Sequence, residues 1–548
     1  MTISPFPFVF LLLSAIMIIG TGNAAGQELA EVYGSEAADT ALVVPIDTLH
    51  ADEGLLIDSI VIEPREIYDT TDHRYRKWLF RLANRLHMVT KSAVIQRELL
   101  LRKGDQFSAR EAEEMARNLR ARYQLVDAWV ETERLANGRL LVKVVTIDQW
   151  SLLGGLELNR DGNRTRIKVG FEEKNLFGYN QFVSFDWVIQ EGEENYIHTR
   201  FRDSRFFGIP YSVELEYNTD PRGELRQFSF SRPFYSLEQQ FSFGMTVGRQ
   251  GGRHDVYEDS IRVGSWQGQA DQFDLIAENR WGDHDTKFGI GTWYTYRSDR
   301  ISERSGDSVD FPQDTLYHQP ALMLKLNHAE YLRMKRINSF SLLEDVTLTT
   351  GLETLLGRAF NSDLDGYFYD VLDVTARLGQ RIGENLFFAD HQHTYWYKGE
   401  SRFRTRTRST ARFYNNSLSF MTLAMRLQYR TDFFDSPNDP LVLGGTSGLR
   451  GYDEYALSGD RALAVNVETR WFPGIEFLSA MLGGAIYADL GKAWKQNETF
   501  AFQDMEYSVG AGLRISLERA TRSEIIRIDL AYTRQGHLAL AFATGQYF

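Results

Sequence analysis

The chain of 548 residues contains no cysteine. That absence excludes disulfide bonds, thiolate metal sites and cysteine nucleophiles, and it is compatible with any redox compartment. Basic residues are fewer than acidic ones: the chain has 61 Lys and Arg against 74 Asp and Glu, which gives a net charge of −13. No long basic run offsets this charge, and we therefore expect no binding to nucleic acid.

Signatures of enzyme chemistry are missing as well. The sequence contains no GxSxG elbow, no HExxH pair and no P-loop. From these motifs alone we expect a protein that is not an enzyme and that needs no cofactor.

Long apolar runs are confined to the first residues. The segment "PFPFVFLLLSAIMIIG" is followed by small residues, among them Ala24 and Ala25. This pattern is typical of a secretory signal peptide, which we place at 1–25, although "MTIS" lacks Lys and Arg and an uncleaved membrane anchor is the alternative. No later segment approaches the roughly 20 consecutive apolar residues of a membrane helix. The chain is therefore expected to be exported, with any membrane span made by strands.

Residues 26–53 are acidic and weakly patterned, and we interpret them as a periplasmic linker. Beyond them "LLIDSIVIE" alternates as a strand, and helical patterns follow, the last of which opens with a capping box of Ser108 and Glu111. Two more strands are joined by a turn at Asn137 and Gly138. The order strand, helix, helix, strand, strand predicts a small α+β domain over 54–148.

From residue 149 to the end the helical period disappears. Alternating segments such as "QFVSFDWVI", "KFGIGTWYTY" and "SVGAGLRISL" are separated by polar or glycine-rich turns, and the chain carries 36 Phe, 26 Tyr and 10 Trp. Such segments of about ten residues are typical of a transmembrane β-barrel. A soluble sandwich or propeller is the alternative, but no repeat of propeller length is visible. We expect an all-β antiparallel barrel of about twenty strands over 149–548.

The turns of this predicted barrel have an expected sidedness. If the first strand rises from the periplasm, "NLFGYN", "FFGIPY", "PFYSLE" and "WFPGIE" all fall on the periplasmic side. The longest connections, 249–268, 299–316 and 435–460, then fall outside. Short inner turns and long outer loops are the asymmetry that membrane barrels show.

Arginines alternate with smaller residues in "RFRTRTRSTAR". They are Arg402, Arg404, Arg406 and Arg408. Because an arginine on the lipid face costs about 2–4 kcal/mol at the midplane, we expect all four to face the lumen. They either attract anions or guide clients there, or they pair with lumen carboxylates such as Asp370 and Asp373.

Two further motifs suggest metals only weakly. "NSDLDG" at 361–366 is similar to the first half of an EF-hand loop, but its twelfth position is Leu372 in place of glutamate, and an acidic outer loop is the alternative. His391 and His393 share one strand face, and two histidines without a third ligand are more typical of lumen residues. We expect no metal site.

A glycine-rich stretch, "GGTSGLRGYDEYALSGDR" at 444–461, surrounds the single Arg450. Glycine marks backbone that bends sharply or approaches another group closely. The guanidinium is therefore either solvated at a loop tip or held by a partner.

The motifs together resemble the BamA/TamA-type superfamily of outer-membrane assembly and polypeptide-transport barrels. The unit at 54–148 resembles a POTRA domain, and "EEKNLFGYNQ" (172–181), "GLRGY" (448–452) and "YADLGKAW" (487–494) resemble family motifs. The resemblance implies a loop that folds back into the lumen, where Arg450 would pair with Asp489 while Tyr452 packs beside it. The implied loop motif is Gly444, Gly445, Gly448, Leu449, Arg450, Gly451 and Tyr452, and the implied barrel-wall partners are Asp489 and Gly491.

The resemblance also implies a weak seam between the first and last strands, here 151–159 with Gly154 and Gly155, and 538–548 with Gly545. The final Phe548 is similar to the terminal residue of the signal that delivers barrels for assembly. Glycine inside a strand weakens it and permits a bend. Family members usually have sixteen strands and often several POTRA units, whereas this sequence indicates about twenty strands and one such unit.

The implied function is non-enzymatic assembly or insertion of outer-membrane proteins, or translocation of polypeptides. The implied partners are the outer-membrane bilayer, unfolded or partly folded polypeptides and periplasmic or lipoprotein accessory factors, with the N-terminal domain in the periplasm of a Gram-negative-type cell. The alternatives are a two-partner-type transporter for one secreted protein, a passive porin-like channel and a barrel enzyme such as a lipase.

Overall fold

A computed structural model of the chain describes residues 49–122, 125–161, 164–190, 194–258, 261–306, 313–361, 368–399, 401–434, 441–453, 456–477, 479–518 and 525–548. The predicted signal peptide, nearly all of the linker and the centre of "NSDLDG" lie outside these residues. No helix among the described residues is long and apolar enough to cross a membrane.

The N-terminal unit is an α+β domain built on a three-stranded sheet. Its elements are β1 (Ile57–Arg65), α1 (Trp78–Leu86), α2 (Ser92–Gln96), α3 (Ala109–Arg122), β2 (Leu125–Arg134) and β3 (Leu140–Asp148). The strands lie in the order β1-β3-β2, with β1 and β3 parallel and β2 and β3 antiparallel. Helix α3 begins beside Ser108, whose hydroxyl accepts a bond from the Glu111 N–H at 3.4 Å, as the capping pattern predicts.

The core of this domain lies between α3 and the sheet. The inward residues of α3 and the alternating residues of the strands are buried together, among them Met115, Leu119, Val130, Val142 and Val144. The short helix α2 was not anticipated as a separate element, and it contributes the buried Val94 and Ile95 to the same core.

The described residues from Leu152 onward include one closed antiparallel barrel of twenty strands. The first ten are β4 (Leu152–Asp161), β5 (Arg164–Glu173), β6 (Gln181–Gln190), β7 (Tyr196–Asp203), β8 (Ser212–Asn218), β9 (Glu224–Arg232), β10 (Phe241–Glu258), β11 (Ile261–Trp281), β12 (Thr286–Ser305) and β13 (Thr315–Met334). The others in chain order are β14 (Glu344–Asn361), β15 (Tyr369–Ile382), β16 (Asn385–Lys398), β17 (Ser401–Leu418), β18 (Met421–Phe434), β21 (Arg461–Phe477), β22 (Ala480–Trp494), β23 (Glu506–Ser516), β24 (Ile525–Thr533) and β25 (Leu538–Thr544).

Two three-residue strands, β19 (Leu441–Leu443) and β20 (Leu457–Gly459), pair with each other between β18 and β21 and stay outside the barrel sheet. The barrel closes where β25 lies next to β4. Twenty strands match the count made from the alternating segments and exceed the sixteen that are usual in the resembled superfamily.

Alternation along the strands separates an apolar outer face from the lumen. On β13 the outward Leu322, Leu324 and Leu326 are exposed, whereas Ala321 and Met323, which alternate with them, are buried. Exposed Leu, Ile, Phe and Trp side chains recur on many other strands of the barrel. A continuous apolar outer surface on a closed barrel is the surface that lipid covers, and the barrel is therefore a transmembrane one.

The barrel wall is unequal in height. Strands β23 to β25 and β4 to β9 are neighbours in the sheet and have 7 to 11 residues each, whereas the other strands have 14 to 21. The expected length of about ten residues is thus wrong for half of the wall. The predicted connection 249–268 is also wrong, because β10 runs to Glu258 and β11 begins at Ile261, and the predicted connection 299–316 is too long, because β12 runs to Ser305 and β13 begins at Thr315. Where a long strand extends beyond the membrane, both of its faces contact water. Polar residues then occur on both faces, and the sequence there resembles that of a loop.

The N-terminal domain packs against one end of the barrel, which we call the proximal end. It contacts hairpins there through Lys91 and Gly178, Glu98 and Arg205, and Glu114 and Leu237, among others. Three of the turns predicted to share one side, "NLFGYN", "FFGIPY" and "PFYSLE", lie at this end. The fourth, "WFPGIE", lies within the proximal end of β21, where the register shifts between Trp471 and Ile475.

A buried polar joint connects the domain to the first proximal turn. The Asp148 carboxylate accepts bonds from the Thr90 N–H at 3.0 Å and its hydroxyl at 2.6 Å, and the Asn175 amide donates to the Thr90 hydroxyl at 3.0 Å. His87 Nε2 lies 3.6 Å from Asp148, with both side chains almost fully buried. Burial alone would lower the pKa of His87, but Asp148 outweighs it and raises that pKa above its ordinary value.

Protonated His87 is therefore expected to stabilise the docked N-terminal domain. Because its folded-state pKa is raised, this contribution is complete below the ordinary histidine pKa of about 6.5 and is lost as pH rises through the folded-state pKa. Thermal unfolding of the domain should show a melting temperature that falls as pH rises from about 6 to about 8, the range that begins near the ordinary histidine pKa and extends above it. His87→Gln should flatten that slope, while His73→Gln, at an exposed histidine, should keep it. An unchanged slope in His87→Gln would contradict the assignment.

Candidate functional site

The glycine-rich loop between β18 and β21 enters the barrel lumen. Arg450 at its centre is 3% exposed, and the Asp489 and Glu468 side chains that it contacts on β22 and β21 are 0% exposed. The guanidinium is therefore held by the barrel wall, and the alternative of a solvated loop tip does not describe this structure.

Arg450 binds Asp489 through two guanidinium nitrogens and its main chain. Nε and Nη2 donate to the two Asp489 oxygens at 2.8 and 2.9 Å, and the Arg450 N–H donates to Oδ2 at 3.2 Å. Nη1 donates to Glu468 Oε2 at 2.5 Å. Such paired, charge-assisted bonds fix orientation as well as position. The contact with Asp489 is the one that the resemblance implied, whereas the contact with Glu468 was not anticipated.

Glu468 could have been found from the pattern of its strand. In "ALAVNVETR" the residues Ala464, Asn466, Glu468 and Arg470 share one face of β21, and all four are buried. Buried polar residues at alternate positions of a barrel strand indicate a lumen face that something else covers.

The aromatic rings beside Arg450 belong to Tyr487 and Tyr547, and not to Tyr452 as expected. The guanidinium carbon lies 3.4 Å from the ring centre of Tyr487 and 4.1 Å from that of Tyr547, so the cation lies close to two aromatic rings. Tyr452 was predicted to pack here. It instead donates to Glu506 Oε2 at 2.8 Å, because the chain turns at Gly451 with φ 87° and carries the next side chain towards β23.

At Gly451 and Gly491 the loop and the barrel wall lie too close together for any residue with a side chain. A Cβ at Gly451 would lie 2.7 Å from Ala531 Cβ, and a Cβ at Gly491 would lie 2.6 Å from Leu443 Cδ2 and 3.1 Å from Leu449. Leu443 and Leu449 are fully buried, and they anchor the loop against the wall at Gly491. The small residues of the loop thus allow its backbone to lie directly on the strands.

Gly444, Gly445 and Gly448 complete the turn. The Ser447 hydroxyl accepts from the Gly444 N–H at 2.9 Å, and the Gly445 N–H donates to the Tyr452 carbonyl at 2.9 Å. The Asn466 amide donates to the Gly448 carbonyl at 2.9 Å and to Asp489 Oδ1 at 2.7 Å. The loop backbone is therefore bound to the same wall residues as Arg450.

Further charged side chains surround the Arg450 contacts. Arg514 Nη1 donates to Asp529 at 2.6 Å, Arg470 Nε donates to Glu468 at 3.1 Å, and Arg426 donates to Asn466 at 2.8 Å. The whole group, which we call the luminal cluster, comprises Arg426, Arg450, Arg470, Arg514, Arg527, Asn466, Glu468, Asp489 and Asp529. Guanidinium groups outnumber carboxylates in it.

The last residues of the chain also enter the lumen. Strand β25 ends at Thr544, Gly545 has φ 77°, and Tyr547 is buried with its hydroxyl donating to the Gly445 carbonyl at 2.8 Å. The prediction that Phe548 continues the last strand at the seam is wrong. Gly545 turns the chain inward, and Arg470 Nη2 donates to the Phe548 main-chain oxygen at 2.6 Å.

A proximal hairpin meets the luminal cluster from below. Residues 335–343, which we call the crossbar, join β13 to β14. They contact β18 and β21, which are not neighbours of β13 or β14 in the sheet. Arg470 Nη1 donates to the Ile337 carbonyl at 2.5 Å, and the Thr422 hydroxyl donates to the Arg336 carbonyl at 2.8 Å. The buried Phe340 packs edge-on against Phe472 at 5.0 Å.

Carboxylates hold the crossbar at both ends. Glu344 accepts bonds from the Ile337 and Ser339 N–H groups at 2.9 and 3.0 Å, and the buried Glu518 accepts bonds from the Phe340 and Ser341 N–H groups. The inward loop, the terminal residues and the crossbar therefore come from three directions and meet around Arg450 and Arg470.

Removing the Tyr547 ring is expected to loosen this junction. Tyr547→Ala should destabilise the barrel by about 3–5 kcal/mol, the usual range for losing a buried aromatic, and Tyr547→Phe by about 1 kcal/mol, because it loses only the hydroxyl bond to Gly445. Denaturant unfolding in detergent followed by near-ultraviolet circular dichroism measures both. Equal losses for the two variants would show that the ring itself contributes nothing.

The seam strands are thinly covered. The outward Leu538 and Phe542 of β25 are 67% and 68% exposed, whereas the outward Ile526 and Leu530 of the adjacent β24 are 43% and 44% exposed. On the other side of the closure, a Cβ placed at Gly154 or at Gly155 would meet no atom within 4 Å. Neighbouring side chains cover this closure less than they cover β24.

The arginine row on β17 pairs with a carboxylate that was not anticipated. Arg404 and Arg406 bind Asp432 on β18 at 3.0 and 2.7 Å. The expected partners are engaged elsewhere, since Asp370 binds Arg358 at 2.7 Å and Asp373 accepts from Gln392 at 3.0 Å.

The other motifs do not form a metal site in the described part of the chain. The prediction that His391 and His393 face the lumen is wrong, because they alternate with the luminal Gln392 and Thr394 and contact Ser409 and Thr407 on the outer face. No group of three or more side chains suited to a metal occurs among the described residues. The possible calcium loop lies largely outside them.

No protein-family model and no curated protein matches the chain. Among solved structures, CdiB from Escherichia coli shares 11% identity over 100% of this chain and 98% of that chain, with a TM-score of 0.43. CdiB from Acinetobacter baumannii shares 13% over 92% and 76%, with a TM-score of 0.42. BamA from Haemophilus ducreyi lacking POTRA domains 1–3 shares 11% over 89% and 84%, with a TM-score of 0.39. At such low identities and scores, the function of the chain has to be argued from its own residues.

Proposed function

We propose that this chain is a non-enzymatic outer-membrane protein that assembles or inserts other membrane proteins or translocates polypeptides. The N-terminal domain lies in the periplasm and receives unfolded or partly folded clients, with accessory factors there as further partners. The barrel lies in the outer membrane of a Gram-negative-type cell and inserts the clients or passes them outward.

The observation that carries this proposal is the pinned inward loop. Burying Arg450, Asp489 and Glu468 has a desolvation cost that only close pairing offsets. A passive channel needs open water in its lumen, and it has no use for a loop that is bound there at such a cost. A barrel that must stay closed until a client arrives does need one.

The seam supports the insertion branch of the proposal. An exposed strand edge presents unpaired main-chain groups to which a client strand can add by backbone hydrogen bonds. The thin cover over β25 and the open surroundings of Gly154 and Gly155 favour this closure as the place of opening. The mechanism requires no catalytic side chain.

The test is client insertion into proteoliposomes that contain the full chain. A urea-unfolded outer-membrane barrel protein is added, and its folding is followed by protection from protease and by its shift on unheated gels. The native chain should accelerate folding several-fold over empty liposomes of the same lipid. Arg450→Ala in the same liposomes should lose much of the acceleration.

Other outcomes would point to other functions. A large, steady ion conductance without client folding would favour the porin-like channel and would contradict the proposal. Failure to fold general clients, combined with export of one protein produced with this chain in cells, would favour the two-partner-type transporter.

A further inference from the structure

Helix α1 of the N-terminal domain has an apolar face that no other part of the described structure covers. Its exposed apolar side chains are Trp78, Leu79, Leu82 and Leu86, with Trp78 at 63% and Leu86 at 64% exposure. At about 100° per residue these four positions fall within an arc of roughly 100°. They therefore form one continuous stripe, which we call the α1 stripe.

The α1 stripe is not an unfinished part of the domain core. The opposite face of the helix already packs inward, where the buried Phe80 lies 4.8 Å from the ring of Tyr68 and 5.3 Å from that of Tyr75. On the same side Asn84 donates to the Tyr68 carbonyl and accepts from the Tyr68 N–H. The helix thus has two apolar faces, and among the described residues only one of them is packed against other side chains.

The surroundings of the stripe are positively charged. Between Asp72 and Glu98 the sequence has no acidic residue, although the whole chain carries −13. The basic residues of this interval are Arg74, Arg76, Lys77, Arg81, Arg85, Lys91 and Arg97. Arg81 and Arg85 are exposed on the helix itself, next to the stripe. An apolar stripe bordered by basic side chains fits a surface of apolar chains beneath anionic phosphates.

The stripe lies at the rim of the apolar belt of the barrel. At one end of the helix, the Tyr75 hydroxyl donates to Glu476 at 2.9 Å, at the proximal end of β21. Just after the other end, the Lys91 N–H donates to the Gly178 carbonyl at 3.0 Å, in the turn between β5 and β6. The strands between these two contacts are β22 to β25 and β4 to β5, which include the seam. Helix α1 therefore lies beneath the seam.

Two proximal turns, which contact the segment after α1 at Lys91 and Glu98, present aromatic rings in the same way. Phe177 and Phe207 have positive φ values of 54° and 52°, and their side chains are 65% and 86% exposed. A phenylalanine in the left-handed region is strained by roughly 1–2 kcal/mol, a cost that the hydrogen bonds and contacts around each turn have to offset. Aromatic rings at the edge of a lipid belt are stabilised at the headgroup level.

We propose that α1 is a membrane-bound helix, which lies in the headgroup region of the proximal leaflet with the α1 stripe towards the acyl chains. The ligand class is anionic phospholipid, bound by the stripe together with Arg81 and Arg85. This inference goes beyond the proposed function, because it holds for a channel as well as for an assembly protein.

The absence of cysteine makes the test direct. Leu82→Cys, labelled with the environment-sensitive dye NBD, is reconstituted into bilayers of phosphatidylcholine and phosphatidylglycerol that contain a lipid with a doxyl quencher high on its acyl chain. Asn137→Cys is the matched control, since its hairpin turn lies at the end of β3 away from the barrel. The dye at position 82 should be quenched several-fold more strongly than the dye at position 137.

Charge and folding are controlled separately. Arg81→Glu combined with Arg85→Glu in the Leu82→Cys background should reduce quenching more in the mixed bilayer than in pure phosphatidylcholine. If Leu82→Cys does not fold, Leu86→Cys takes its place on the same stripe. Quenching at position 82 no stronger than at position 137 overturns the proposal. The proposal is also overturned if the dye is not quenched by the doxyl lipid but changes its emission when an unfolded polypeptide is added, because the stripe would then bind clients.

Discussion

Arg450→Ala is expected to free the inward loop and to lower the free energy of unfolding by about 3–5 kcal/mol. The substitution leaves Asp489 and Glu468 buried without their main counter-charge, and it removes the cation from the rings of Tyr487 and Tyr547. In planar bilayers a small, fluctuating conductance should become larger, and the stretch 444–461 should become sensitive to protease added at the distal side.

Arg249→Ala is the matched control for this variant. Arg249 binds Asp271 through Nε at 2.5 Å, but its side chain is about half exposed, and exposed ion pairs contribute only ~0–1 kcal/mol. The double variant Arg450→Ala/Asp489→Ala should recover part of the stability, because one uncompensated charge is removed. A conductance unchanged in Arg450→Ala would mean that the loop does not obstruct the lumen.

Asp345→Ala is expected to release the N-terminal domain from the barrel. Arg120 donates to Asp345 at 2.7 Å through Nε and at 2.5 Å through Nη2, and its side chain is 3% exposed. Removing one partner of such a buried pair costs about 2–5 kcal/mol of docking free energy, mostly because the other charge stays buried. Hydrogen exchange of the 174–180 and 204–211 turns should rise, while exchange inside the domain sheet stays low.

The site of this substitution separates docking from folding. Asp345 belongs to the barrel, whereas Arg120 also donates to the Ala128 carbonyl inside the domain at 2.5 Å, so a change at Arg120 would disturb both. Lys143→Ala, which removes an exposed pair with Glu133 at 2.8 Å, should leave exchange at the turns unaltered. Faster exchange throughout the domain sheet in Asp345→Ala would show that the domain had unfolded and had not merely undocked.

Local patterns predicted much of the architecture. Alternation with period two sufficed for twenty strands, and a capping serine with an Asn-Gly turn placed α3 and the β2–β3 hairpin. The resemblance paired Arg450 with Asp489. These features depend on residues that are close in sequence or on a motif that already contains both partners.

Contacts between distant segments were missed. The crossbar was not predicted at all, because nothing in 335–343 shows that Arg470 and Glu518 bind its backbone from distant parts of the chain. Tyr547 looked like the end of a strand, since the inward turn at Gly545 has no signature beyond one glycine. The long strands β10 to β12 were cut short, because alternation disappears where both faces are in water.

The unequal wall also determines how the barrel should yield under load. Pulled from Phe548, the chain would peel from the short side, where β25 offers 7 residues of ladder, and would stall at the tall side, where β11 offers 21. Force traces should show low rupture peaks for β25 to β23, higher ones for β22 to β10, and low ones again for β9 to β4. The side of the wall with long strands should resist bending, and the side with short strands should be the part that deforms.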